Sequence, residues 1–244
     1  MTKRILTGLA MVFAVAACAR GGDAPMSPVV EKFAADITFY VDYDDGDGAP
    51  VIAMGAANVH RTEGEPRPAP GILGLGTTGG VYFYGNEGNV DLTVPGTLIV
   101  WSAGWKRVEN DYVWPVIFTG SRGAHHPVGR LPISSGSAIY VHFCGRDGAP
   151  PDQQYAWIDY DTWGDGWHML ALTWDAGSIG LSFDGGMPAE KSLSEPLDTD
   201  VSWIVAGGGG AVVDEFAILN RKLTADELKW LYEETLKRSA SARP

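Results

Sequence analysis

The sequence predicts an all-β chain closed by a short C-terminal helix, and three observations lead there. The 244 residues include 32 Gly, 15 Pro and 9 Trp, a turn-rich and aromatic-rich composition that suits short strands joined by tight turns. Short apolar or alternating runs recur at close spacing from Ile37 to Leu219. Finally, Thr224-Ala-Asp-Glu227 is a capping box set directly before an apolar stripe. Hydrophobic residues make up 45% and charged residues 20% of the chain, so it can bury a core rather than stay disordered.

The charge balance excludes one class of partner. Lys and Arg number 18 against 30 Asp and Glu, a net charge of −12, and no basic run exceeds Lys106-Arg107 or Lys237-Arg238. A nucleic-acid binder needs a basic face to neutralise phosphates, so nucleic acid is not an expected partner.

From the N-terminus, Lys3 and Arg4 precede an uncharged run from Ile5 to Ala17. That run is shorter than the roughly 20 residues of a bilayer-crossing helix, and residues 1–17 read as a signal peptide. Val15-Ala16-Ala17-Cys18 resembles the lipobox of bacterial lipoproteins. The resemblance implies cleavage before Cys18, acylation of that residue and attachment to a membrane. Ala19 at the following position implies the outer membrane. Plain signal-peptidase cleavage at the small residues is the alternative. Cys144 is the one other cysteine; in Ala138-Ile-Tyr-Val-His-Phe-Cys144 it reads as a buried strand thiol, with no disulfide expected.

Residues 18–35 mix Gly, Ala, Pro and Ser and read as a flexible tether, followed by one domain over 36–238. Its first strand is Ile37–Tyr43, ending in the acidic turn Asp44-Asp-Gly-Asp-Gly48, and the Pro/Gly-rich stretch Arg61–Gly80 reads as a surface excursion. Further strands are expected at Val81–Tyr84, Gly96–Ser102, Trp114–Gly120, Ala138–Gly145, Gln154–Tyr160, Trp167–Trp174, Ile179–Asp184, Val201–Ala206 and Val212–Leu219. After the capping box, Leu228, Leu231 and Tyr232 form an apolar stripe widened by Trp230, so the helix should lie on the sheets. Ser239–Pro244 reads as a frayed tail.

Two stretches carry a family resemblance. One is Trp167-His-Met-Leu-Ala-Leu-Thr-Trp-Asp175 followed by Ser178-Ile-Gly-Leu-Ser-Phe-Asp-Gly185; the other is Gly210-Ala-Val-Val-Asp-Glu-Phe-Ala-Ile-Leu-Asn-Arg-Lys-Leu-Thr-Ala-Asp-Glu-Leu228. Together they resemble the laminin-G-like jelly roll of the concanavalin A-like lectin/glucanase superfamily. Phe39–Gly46 and Val94–Trp101 support the likeness, which spans roughly residues 36 to 235. The resemblance implies a two-sheet antiparallel jelly-roll sandwich. The same residues also have purely structural uses: Asp184-Gly185 suits a hairpin turn, Trp167 and Trp174 offer large buried areas between two sheets, and Leu223 can staple the helix entry.

For catalysis, the paired carboxylates of related glucanases find only Asp159-Tyr-Asp161 here, with Gly164 where a third would stand. No Ser/His/Asp or Cys/His pattern appears, and His125-His126 read as loop residues. The chain is therefore expected not to be an enzyme. One structural calcium ion is expected at the first acidic turn, held by Asp44 and Asp214 with Asp42 as helper, because a hard cation takes several carboxylate and carbonyl oxygens. Aromatic residues alternating with acids around Tyr155–Trp167 suit a sugar, and Trp105, Tyr155 and Trp163 are the expected ligand-binding residues. The expected function is non-catalytic binding of carbohydrate by a lipid-anchored envelope module. A protein–protein or structural envelope module, and a divergent glycoside-active enzyme, are the alternatives.

Overall fold

The computed structural model describes residues 26–54, 59–104, 113–119, 124–133, 136–143, 152–158, 166–194, 196–197, 199–207 and 211–242. Between 113 and 158 it describes the backbone and, of the side chains, that of Phe118. Residues 1–17, Cys18 and Cys144 lie outside the described residues. In chain order the elements are α1 (Pro28–Phe33), β1 (Ile37–Val41), β2 (Ile52–Ala53), β3 (Val59–Pro70), β4 (Leu75–Gly85), β5 (Gly96–Ala103), β6 (Val113–Thr119) and β7 (Ala124–Ile133). They continue with β8 (Gly136–Phe143), β9 (Asp152–Ile158), β10 (Trp167–Trp174), β11 (Ser178–Phe183), β12 (Ala189–Ser192), β13 (Trp203–Gly207), β14 (Val212–Leu219) and α2 (Ala225–Ala242).

The described ladders are antiparallel and build a two-sheet sandwich of jelly-roll type, as expected. The first sheet runs β12-β11-β10-β5-β14-β1-β2 and the second β3-β4-β13-β6-β7-β8-β9. One rung, Val213 to Thr77, joins them. Between the sheets, Phe39, Leu98, Val100, Leu172, Trp174 and Phe216 meet Tyr82, Tyr84, Phe118 and Ile204.

A second apolar layer covers the outer face of the first sheet. There Tyr40, Ile99, Trp101, Met169, Ala171 and Leu219 pack under Val29 and Phe33 of α1 and Leu228 and Leu231 of α2. This explains why Leu98-Ile-Val-Trp101 is apolar at every position: a strand covered on both faces loses the polar half of its alternation. It also separates the two tryptophans of β10. Seven positions apart, Trp167 and Trp174 point to opposite faces, so Trp174 fills the inter-sheet core while Trp167, expected beside it, packs partly buried under the helices.

The helix entry forms as its capping box predicts. The Thr224 amide donates to Glu227 Oε2 at 2.9 Å and the Glu227 amide to Thr224 Oγ1 at 3.3 Å. Arg221 holds Glu227 with two donors and reaches Asp36 at 2.9 Å, while Lys222 bridges Asp175 and Glu190. The helix does not stop at Ser239: that residue and Thr235 are buried, and α2 continues to Ala242.

Three further expectations are corrected. The stretch 61–80 is no excursion; most of it forms the β3–β4 hairpin. Its prolines Pro66, Pro68 and Pro70 and its charges Arg61, Glu63, Glu65 and Arg67 imitate a loop in sequence because they lie on an edge strand, where missing N–H groups and charges discourage further pairing. His125 and His126 lie in β7 rather than in a loop. The tether expected over 18–35 gives way at Pro28 to a packed helix, in which Pro at the first turn fits α1 and Phe33 meets Trp230 edge-on at 6.2 Å.

A chain shortened to begin at Asp36 is therefore expected to lose stability relative to one beginning at Met26. Loss of buried Phe33 alone corresponds to about 3 kcal/mol or more, and comparison of urea midpoints of the two chains measures it.

Candidate functional site

Three groupings bring polar chemistry together, and two of them are occupied by structure. The first is the acidic end of the sandwich. A bulge in β14 between Asp214 and Ala217 puts Glu215 at φ 50° and leaves Asp214 and Glu215 both buried. Asp214 Oδ2 accepts the amides of Ile72 and Leu73 at 2.8 and 3.2 Å, and its Oδ1 the amide of Glu215 at 2.8 Å. Tyr40 donates to both Glu215 oxygens at 3.0 Å, and the Ser27 hydroxyl, just before α1, donates to the same carboxylate.

The calcium expectation meets a different arrangement here. Asp44 Oδ1 accepts the Leu75 amide at 2.8 Å, and Asp42 accepts the Asp44 amide at 3.2 Å. The turn 71–75 thus runs between Asp44 and Asp214, its amides donating to both carboxylates. Only glycine permits that approach: a Cβ at Gly74, whose φ is +116°, would lie 2.2 Å from Asp44 Oδ1, and one at Gly71 2.4 Å from Asp214 Oδ2. Among the described residues no three His, Cys, Asp or Glu side chains stand as a metal-holding group.

The second grouping pairs the two resembling motifs. His168 Nδ1 lies 2.9 Å from Asp184 Oδ2, and Asp184 Oδ1 accepts the Met169 amide at 2.9 Å. Asp184 and Gly185 both have positive φ and form the centre of a tight turn closed by the Gly186 amide on the Phe183 carbonyl at 2.7 Å. This turn abuts α2, so the histidine and the aspartate act as a clip between β10 and the turn after β11.

The third grouping is open to solvent. Alternation along β13 sends Ile204 and Ala206 into the inter-sheet core and Trp203 and Val205 to the outer face of the second sheet. Trp101 and Trp174 are 1% exposed, whereas Trp203 is 37% exposed. Its strand partner is Gly85. A bulge in β3 between Val59 and Arg61 sets His60 against the indole, with ring centroids 5.1 Å apart and planes at 89°. A Cβ at Gly85 would stand 2.9 Å from His60 Nε2 and 3.6 Å from Glu87 Oε1, so imidazole and carboxylate converge over the residue that has no side chain. Beside them Arg61 lies over the Phe83 ring at 3.9 Å and pairs with Glu63 at 3.3 Å. An aromatic ring, a carboxylate and an imidazole on an exposed sheet face suit reversible binding of a polar ring-shaped ligand.

Of the expected ligand-binding residues, Tyr155 lies on β9 of this same sheet, opposite Tyr140 of β8, and Trp105 and Trp163 lie outside the described residues. Asp159 and Asp161 also lie outside them. Sequence reasoning missed Trp203, His60 and Glu87. The available signal was a tryptophan at the start of a short apolar strand, but Trp-Ile-Val-Ala does not disclose which alternate set faces outward.

No family model matches the chain, and no curated protein matches it. Solved structures share its fold. The binding domain of Paraclostridial Mosquitocidal Protein 1 superposes with a TM-score of 0.64 at 12% identity, over 82% of this chain and 52% of the other. The binding domain of botulinum neurotoxin DC does so in complex with rat synaptotagmin II (TM-score 0.63, 13% identity) and in complex with SialylT (0.61, 12%), with the same coverage. The chain spans about half the length of these structures. At such identity the likeness defines the class of fold, a jelly-roll-type β-sandwich.

Burial, followed by the neighbouring Glu215 charge, raises the Asp214 carboxyl well above the usual aspartate range, although three amides oppose the shift. A raised carboxyl binds its proton in the native state where the unfolded chain has lost it. Its contribution to stability consequently declines as pH rises from the ordinary aspartate value towards the raised one. Asp214→Asn is expected to flatten this decline, measured as the difference between urea midpoints at pH 5 and pH 8 in the two proteins.

Proposed function

We propose that the chain is a non-catalytic, lipid-anchored binding module of the bacterial outer membrane, of the laminin-G-like kind, and that its ligand is carbohydrate. One observation carries the choice of ligand: both described helices pack on the first sheet, while the second sheet presents Trp203 to solvent with a carboxylate and an imidazole beside it. Pyranose rings present C–H faces that stack on indole and hydroxyls that bond to such groups. The binding domain of botulinum neurotoxin DC, in complex with rat synaptotagmin II in one structure and with SialylT in another, supports a binding rather than a catalytic use of this sandwich. Val15-Ala16-Ala17-Cys18 supports the anchor. Among the described residues no helix is long and apolar enough to cross a membrane.

Two measurements test the parts separately. Metabolic labelling with a clickable fatty acid is expected to mark the wild type and not Cys18→Ser; equal labelling removes the anchor. A broad glycan array probed with the full chain is expected to show binding, and a blank array together with capture of an envelope protein transfers the function to the protein–protein reading.

A further inference from the structure

We infer that Trp203, His60 and Glu87 form, over Gly85, a subsite for one uncharged hexopyranose ring. This rests on the carbohydrate reading above and adds to it a location and a ligand class. Location follows from the strand register. Gly85 lies directly opposite Trp203, and cross-strand partners project to the same face. Gly85 therefore lets the imidazole of His60 settle against the backbone, at right angles to the indole, with Glu87 Oε1 beside it. The turn supports this arrangement: Asn86 bonds the Val90 amide and the carbonyls of Val90 and Val201, so Glu87 projects from a turn closed at Val90 and pinned to the segment leading into β13.

The ligand class follows from the polar groups. A carboxylate accepts two hydroxyl protons and donates none, which suits adjacent hydroxyls on a sugar rim; hydrogen bonds to an ionised group are among the stronger ones. The same carboxylate repels an anionic sugar. Among the described residues beside the site, Arg61 is already turned over Phe83 and paired with Glu63, and the whole chain carries −12. A sialic or uronic acid would bring a second negative charge beside Glu87, and the described Arg61 is already engaged. The indole contributes the apolar surface on which the C–H face rests. A hydrophobic peptide side chain would cover the indole but leave Glu87 stripped of water without a partner, so the polar rim selects the sugar.

The test is calorimetric titration of the full-length protein with glucose-, galactose- and mannose-terminated neutral oligosaccharides and with sialic-acid- and glucuronate-terminated ones, in parallel with Trp203→Ala, Trp203→Phe and Glu87→Gln. A neutral oligosaccharide is expected to bind, with at least about a tenfold loss of affinity in Trp203→Ala and in Glu87→Gln and partial retention in Trp203→Phe. The thermal midpoint is expected to change little in Glu87→Gln, whose side chain is exposed, and to fall in Trp203→Ala, whose indole is only 37% exposed and packs on His60, so Trp203→Phe serves as the folding control. Unchanged affinity of a neutral sugar for Trp203→Ala overturns the subsite while leaving the carbohydrate reading in place. Preferential binding of the acidic oligosaccharides by the wild type overturns the ligand class, whereas a gain in their binding confined to Glu87→Gln supports the repulsion argued above. Absence of binding to every oligosaccharide overturns both.

Discussion

The burial of two adjacent carboxylates, Asp214 and Glu215, is the constraint around which the helical side of this protein is arranged. Removing two neighbouring carboxyl groups from water is costly, and it is tolerated only when hydrogen bonds saturate the oxygens. Here the donors come from distant parts of the chain: the Ser27 hydroxyl ahead of α1, Tyr40 of β1, and the amides of Ile72 and Leu73 in the β3–β4 turn. Each donor brings its segment with it. The acids thus hold the N-terminal helix and the hairpin turn to β14, and the Asp-Glu pair of the C-terminal motif acquires a structural meaning independent of any ligand.

The two sheets divide the work. The first is covered on both faces, by the second sheet inside and by α1 and α2 outside. Its central strand β5 is accordingly buried along its whole length and apolar from Leu98 to Trp101. Among the described side chains, the second sheet turns Tyr82, Tyr84, Phe118 and Ile204 to the core and Trp203 and Val205 to its other face. Its β3 edge is protected against further pairing by prolines and charges. Because the N-terminal helix docks on the first sheet, the chain enters the domain on the side opposite Trp203.

The sandwich of the first sheet resembles a layered protein more than a simple barrel wall, and its second core is nearly as aromatic as its first. Tyr232 stacks on Trp101 with ring centroids 5.6 Å apart, and Lys32 lies 4.0 Å over Trp230. Such contacts couple the ends of the chain: Arg238 near the C-terminus pairs with Glu31 of α1 and donates to the Met26 carbonyl. The two helices therefore form one lid rather than two appendages.

Local physics made much of this legible in advance. The Thr224–Glu227 box, the Asp184-Gly185 turn and the apolar strands β5, β10 and β14 depend on neighbours a few residues away, so spacing alone specified them. The His168–Asp184 clip is also written into the motifs, although its purpose required the register of β10 against β11. Other features depended on contacts across the whole chain. A proline-rich edge strand reads as loop because the edge tolerates what a central strand does not, and α1 is too short to announce itself without the hydrophobic layer that stabilises it. Asp44 and Asp214 each accept amides of the turn after β3, and the Ile72 amide that meets Asp214 lies 142 residues from it in sequence. Composition specified how much surface had to be buried. Which alternate residues of β13 were buried, and hence that Trp203 was left in solvent beside His60 and Glu87, was decided by tertiary structure, because only the packing of one sheet on another distinguishes the two faces of an apolar strand.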